Sequence, residues 1–459
     1  MRKYRYSSSW QNKRKSWFRN TLIIILVGLP LLIIAAEFMA RGVFLATGMA
    51  NQVLPSKTMA IANAYAFKLA DRDGNTYPGL SDYGQLRVKR SPVLGYELFA
   101  DQSSEYWRIN AQGFRAESAI AIEKPANEIR VFLMGGSTAF TNMADQEQKS
   151  LAVKLEKLLN DRVRTQNASP EKFKPKVIPY FADQIEAIQS LPPRIQDGNY
   201  RVITAAVPGY SSGNELAMLA HRVIAYSPNL FMTIDGYEDM RSPSYMSANE
   251  IANIEQVLRD PIAQYRKHES QKFNNWLNSL YLVKVWQKWI MPSSASNSVL
   301  SSEYQIFNAE QFSDDAEESQ KRIDRYVANL AQMHKISANI PMLVALQPEI
   351  TGKQKSLTPE EDNIVKALGN RYRDRAVASY QLAEQALKDK LGGKLGNTKF
   401  INFYQLFQDQ KQQAFIDPIH LTEAANDLIA QKLYENIAQV FAVQPSDPNA
   451  VTQPALPLQ

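Results

Sequence analysis

Two short stretches hold residue types that could carry out nucleophilic chemistry. In the first, the apolar run Arg130-Val131-Phe132-Leu133-Met134 ends at Gly135-Gly136, and Ser137-Thr138-Ala139-Phe140 follows. A buried strand breaks at a tight glycine turn in this way and hands over to a helix. A serine at such a turn stands above the sheet edge, with its backbone N–H at a helix N-terminus where an anion is favoured. Both properties suit a nucleophile whose intermediate carries an oxyanion. Taken alone, the stretch favours a structural Gly-Gly turn. The second stretch is Asp417-Pro418-Ile419-His420-Leu421-Thr422. A carboxylate three residues before an imidazole, in a proline-stiffened turn, can accept from one ring nitrogen and leave the other to act as a base.

Two further turns stand at the ends of apolar runs. Val202–Val207 stops at Pro208-Gly209, and Leu230–Ile234 stops at Asp235-Gly236-Tyr237-Glu238-Asp239. Asp235 and Asp239 near Glu238 lack a histidine or further carboxylate at ligand spacing, which favours turn or helix-cap roles over a metal. No metal and no cofactor is expected. His221, His268 and His334 lie in helical or polar surroundings and are read as solvated or packed.

The elements that position these turns alternate regularly from about residue 129. Strands are expected at Arg130–Met134, Val202–Val207, Leu230–Ile234, Met342–Leu346 and Lys399–Phe403. Helices are expected over 148–165, around Leu216–Val223, over 323–333 and 360–390, and after a Thr422 cap. Such alternation makes a parallel three-layer α/β sheet with its sites at the strands' C-terminal ends. Segments 167–199 and 241–310 interrupt it as insertions.

These motifs, in this order, resemble those of the SGNH (GDSL-type) hydrolase superfamily across residues 129–440, in a branch where Gly-Gly-Ser-Thr stands for Gly-Asp-Ser. The resemblance implies a three-layer flavodoxin-like fold with Ser137 as nucleophile, His420 as general base and Asp417 orienting His420. It places the backbone N–H groups of Ser137 and Gly209, and residue Glu238, at the oxyanion hole. Glu238 departs from the family's asparagine, because an ionised carboxylate has no hydrogen to donate. The resemblance implies an ester-bearing substrate, such as an acylated surface carbohydrate or a lipid. Acyl transfer to a sugar hydroxyl is an alternative, as is an inactive binding or assembly protein.

The 459 residues are 45% hydrophobic and 21% charged, which is ordinary globular composition. There is no cysteine, which excludes a disulfide framework and a thiolate nucleophile. The net charge of +6 comes from residues 1–20, which hold seven Lys and Arg and no acid; the remainder has 45 basic against 46 acidic residues. A neutral body gives no polyanion-binding surface, so nucleic acid is not an expected partner. After this basic segment, a cleaved signal peptide is the disfavoured alternative, because no convincing small-x-small cleavage site follows and the apolar stretch is longer than usual. Residues 21–47 are read instead as a single transmembrane anchor. The N-terminus would then stay in the cytoplasm and the catalytic domain would lie outside it. Residues 48–128 are a lead-in packed on the main domain, and 441–459 are a disordered tail.

Overall fold

The computed structural model describes residues 24–46, 57–76, 84–251, 309–337, 339–391 and 395–446, with isolated positions between 262 and 307. The chain divides into two compact units, one of residues 1–59 with 257–303 and the other of residues 60–256 with 304–459.

In the larger unit five strands form the central sheet; the inner three are near-continuous apolar runs, as expected of strands covered on both faces, and the two edge strands are part-exposed. The five are β1 (Glu128–Gly135), β2 (Asn199–Thr204), β3 (Leu230–Asp235), β4 (Met342–Leu346) and β5 (Thr398–Asn402). All pair in parallel, and the spatial order is β2-β1-β3-β4-β5. That order is flavodoxin-like, with its switch point between β1 and β3. The register pairs Val131 of β1 with both Val202 and Leu230. It also pairs Leu346 of β4 with Asp235 and Asn402. The strands therefore end together, and their C-terminal turns share one edge.

The helices of this unit are α1 (Ser137–Phe140), α2 (Leu151–Ala168), α3 (Ser212–His221), α4 (Tyr237–Arg241), α5 (Ala316–Ser337), α6 (Pro359–Leu391) and α7 (Glu423–Val440). In α2, Leu151, Leu155 and Leu159 fall on one buried face at helical spacing. The Thr422 side chain accepts from Ala425 N at 3.3 Å and caps α7, as the sequence expects. The long helix α6 breaks at Gly369, whose φ of 79° is non-helical.

The lead-in contributes to the same core, with Tyr96, Trp107, Ile109 and Phe114 all buried in it. Its strands Phe67–Leu69, Leu86–Ser91 and Gly95–Leu98 form a small sheet of their own. One expectation is corrected. Residues 442–446, assigned to the disordered tail, are ordered: Ala442–Val443 pairs antiparallel with Arg194–Ile195, and Ser446 bridges Val177. The insertion 167–199 supplies that partner strand and the helix Ala182–Gln189. Most of 241–310, including Trp286 and Trp289, lies outside the described residues.

In the smaller unit a π-helical turn, Ile24–Gly28, runs into the helix Leu29–Ala46. Leu31, Leu32, Phe38 and Met39 are exposed on it, while Arg41 Nε donates to Glu37 Oε1 at 3.1 Å within its sequence. No helix among the described residues is long and apolar enough to cross a membrane. Glu37 and Arg41 interrupt the apolar stretch, and residues 21–23 and 47 of the expected span lie outside the described residues.

Candidate active site

The turn after β1 has to be glycine. Gly135 has φ +135°, and a Cβ there would sit 2.3 Å from the Ile234 carbonyl oxygen of neighbouring β3. Ser137 follows as the first residue of α1, partly exposed between buried neighbours. The helix is a single four-residue turn, so the electrostatics at Ser137 rest on its own N–H and not on a long helix dipole. Arg115, a buried lead-in residue, closes the other end of α1 by donating from Nη1 to Phe140 O at 2.5 Å. Its charge is met by Glu147 at 3.0 Å.

The turn before α7 reaches this place directly. Thr138 Oγ1 donates to the Ile419 carbonyl at 3.3 Å, so the residue after Ser137 touches the residue before His420. Within that turn Asp417 Oδ1 accepts from the backbone N–H of Ile419 at 3.0 Å and of His420 at 2.7 Å. Asp417 Oδ2 pairs with His420 Nδ1. Burial acts to raise the Asp417 carboxyl, but the charge of His420 and these hydrogen bonds outweigh it and hold the group below its ordinary value. An ionised Asp417 on Nδ1 fixes the ring's orientation and puts Nε2 on its far side, the arrangement a base on a serine requires. Ile350, just past β4, also donates its N–H to Pro418 O at 2.9 Å and steadies the turn against the sheet.

The turn after β2 lies beside Gly136. A Cβ built on Gly136 would be 3.4 Å from Tyr210 O and 4.0 Å from Gly209 N. Tyr96 OH donates to Pro208 O at 2.7 Å, and Asn249 Nδ2 donates to Gly209 O at 2.9 Å. In a trans peptide the N–H points away from the C=O, so holding Pro208 O fixes the direction of the Gly209 N–H. Gly209 itself has φ +81°, and a Cβ there would meet Tyr96 OH at 2.7 Å.

The turn after β3 brings Glu238, whose carboxylate accepts from Arg241 Nη1 at 3.1 Å. Arg241 also donates from Nε to Gln311 Oε1 at 2.8 Å and lies over the Tyr237 ring at 4.7 Å. Burial raises the Glu238 carboxyl, while the charges of Arg241 and His420 pull the other way. Glu238 is therefore close enough to His420 to sense its charge. Asp239 does not face a ligand: its oxygens accept from Ser212 N at 2.9 Å and Ser212 Oγ at 2.5 Å at the start of α3. It ties down the first N–H of α3, a helix whose own cap is Ser211. No group of side chains suited to a metal ion occurs among the described residues.

Ser137, Gly209, Glu238, Asp417 and His420 thus belong to turns that adjoin one another at one edge of the sheet. Tyr96, Arg115 and Asn249 support them from far away in sequence, and no local motif marks them. Arg241 had a local signal, since its i,i+3 spacing from Glu238 favours an ion pair on a helix. The other histidines stand apart: His334 Nδ1 bonds Thr398 Oγ1 at 2.9 Å, His221 is exposed, and His268 lies outside the described residues.

Neither a family model nor a curated relative matches the sequence. Among solved structures the chain is similar to the acetylxylan esterase Axe2 from Geobacillus stearothermophilus (11% identity, TM-score 0.32, covering 67% of this chain and 94% of that one). It is similar to the acetyl xylan esterase AlAXEase (12% identity, TM-score 0.32, covering 67% and 100%). A third is LAE5, an α/β hydrolase enzyme from the metagenome of Lake Arreo, Spain (12% identity, TM-score 0.30, covering 67% and 94%). Likeness at this distance carries no argument about activity, and the functional reading has to come from the site's own residues.

Proposed function

We propose that the protein is a serine ester hydrolase of SGNH type, with Ser137 as nucleophile, His420 as base and Asp417 as the residue that orients it. The observation that carries the reading is the Asp417–His420 pair held against the Ser137 turn by the Thr138–Ile419 bond. In this reaction His420 Nε2 takes the proton of Ser137 Oγ as the oxygen attacks an ester carbonyl. The N–H groups of Ser137 and Gly209 receive the oxyanion. The alcohol leaves with the proton from His420, and water activated by the same base releases the acid. Glu238, turned to Arg241, takes no part as a donor. The substrate class is an ester on surface carbohydrate or lipid, and a sugar hydroxyl in place of water would give acyl transfer by the same steps.

The same reading puts the catalytic unit outside the cytoplasm, tethered by the N-terminal segment. Its support is the basic cluster before Thr21 and the exposed Leu31, Leu32, Phe38 and Met39 that follow. A reporter enzyme fused after Gln459 that is active only in the cytoplasm would refute this placement.

A second reading, an inactive binding domain, is favoured by Glu238, a carboxylate that senses the charge of His420 where the resemblance calls for an amide donor. Labelling with a fluorophosphonate, comparing the parent with Ser137→Ala, separates the two. Labelling of the parent alone is the expected result; no labelling of either would leave the binding domain as the function.

A further inference from the structure

Behind the turns that carry Gly209 and Glu238 is a group of acids the reaction does not use. Glu215 lies on α3, Asp235 ends β3, and Asp239 is on α4; their relative exposures are 1%, 2% and 0%. Asp239 is satisfied by Ser212, and Asp235 Oδ1 accepts from the Tyr326 hydroxyl. Asp235 Oδ2 and both Glu215 oxygens are buried without a well-formed hydrogen bond among the described residues, as is the hydroxyl of Thr233, two residues before Asp235 on β3, which also acts on Asp235. The two carboxyls lie within hydrogen-bonding reach of each other. The neighbours that act on Glu215 are themselves acidic, Asp235 and Asp239. Tyr210 from the loop before α3 and Tyr326 from α5 also face the pair, and Arg325 of α5 acts on Asp239. Two ionised carboxylates in contact in a dry interior, with no cation between them, are not a stable arrangement; one proton between them is.

We propose that Glu215 and Asp235 share one proton, and that this hydrogen-bonded acid pair positions the turns bearing Gly209 and Glu238 around Ser137. The inference rests on the hydrolase reading of that site. Glu215 is six residues past Gly209, and Asp235 is three before Glu238. The pair and the Asp239–Ser212 bonds are thus two ties between the same two turns. Burial first, then the charge of Asp239, raises Asp235 to about 7. Burial first, then Asp235, raises Glu215 well above its usual range. The proton is held at neutrality and lost above it. Its loss puts two like charges in contact, separates α3 from the end of β3 and draws the Gly209 N–H away from the oxyanion.

Glu215→Gln tests this, because an amide hydrogen replaces the shared proton and does not titrate. In the full-length protein at mildly alkaline pH, infrared spectra should show the carbonyl band of a protonated carboxylic acid, lost in Glu215→Gln. With p-nitrophenyl acetate, kcat of the parent should fall about tenfold per pH unit on its alkaline side. KM should change little, and Glu215→Gln should lose that limb. The parent's folded state binds the extra proton, so its melting temperature should fall with rising pH more steeply than that of Glu215→Gln. An absent acid band, or an alkaline limb and melting curve unchanged by Glu215→Gln, overturns the proposal. If Glu215→Gln does not fold, Asp235→Asn makes the same test, because its amide can donate to Glu215 while its carbonyl accepts from Tyr326. A parent that neither turns over ester nor labels at Ser137 sinks the hydrolase reading alone. The infrared band and melting curves then still decide whether the proton is shared.

Discussion

The Thr138 hydroxyl reaches the Ile419 carbonyl at 3.3 Å, and this bond joins the turn of Ser137 to the turn of His420. The two residues are 281 positions apart, and both are buried. Thr138→Val keeps the shape, removes the donor and leaves a buried carbonyl without it. The expected cost is about 1 kcal/mol of stability, together with about a tenfold lower kcat through a displaced base. Thr138→Ser should recover most of both. Chemical denaturation and ester turnover measure the two effects; an unchanged kcat in a destabilised Thr138→Val would make the bond purely structural.

Removing members of a catalytic unit is not additive. Ser137→Ala and His420→Ala should each lower kcat by several orders of magnitude, and the double variant should be hardly worse than either. Single-turnover kinetics on one activated ester suffice. Multiplicative losses would show that the two residues do not share a mechanism.

The held-down Asp417 carboxyl makes a prediction with a sign. A group whose folded-state value is depressed stabilises the fold above its unfolded value, near 4, and that contribution is lost as pH falls through the folded value. Melting temperatures of the parent should therefore drop more steeply on acidification than those of Asp417→Asn. At neutral pH Asp417→Asn should be the less stable of the two, and it should lose kcat through the wrong imidazole tautomer. Parallel melting curves over the acid range would contradict the link.

Glu238 is held to Arg241 at 3.1 Å. Glu238→Asn would supply an amide near the developing charge and remove a carboxylate that opposes it. Ester turnover should be preserved or raised, with little change of its pH profile above neutrality. Stability should fall by about 1–3 kcal/mol, because Arg241 loses the Glu238 carboxylate. A folded Glu238→Asn protein with no turnover would give Glu238 a role of its own.

Tyr96→Phe leaves the edge-on ring contacts with Phe67 and Tyr210 and removes the hydroxyl that bonds Pro208 O at 2.7 Å. The Gly209 N–H then loses its fixed direction, and kcat should fall about tenfold or more while KM stays close to that of the parent. Equal losses in kcat and KM would move Tyr96 from the oxyanion to substrate binding.

The central strands are readable in the sequence because each is a short apolar run ending in a turn, and a strand buried on both faces needs nothing else. Ser137, Gly209 and Asp417-His420 are readable for the same reason, since they occupy the turns. The lead-in residues are not. Tyr96 meets Pro208 across 112 positions, and Asn249 meets Gly209 across 40, with no periodicity to announce either contact. Glu215 reads as one more polar residue on an amphipathic helix; only its burial opposite Asp235 shows otherwise. The ordered strand at Ala442–Val443 is hidden because it lies in a proline-bearing tail and its partner comes from an insertion.

The lead-in also bears on what the smallest working unit of this chain is. Because Tyr96 holds the Gly209 peptide and Arg115 closes the helix of Ser137, a cut at the first strand of the alternating sheet would strip out two supports of the proposed site while leaving every motif residue in place. Such a fragment would look complete by its motifs and would perform poorly. Domain shuffling, in nature or in the laboratory, has to move this module from about Ala60 onward as one inheritable piece.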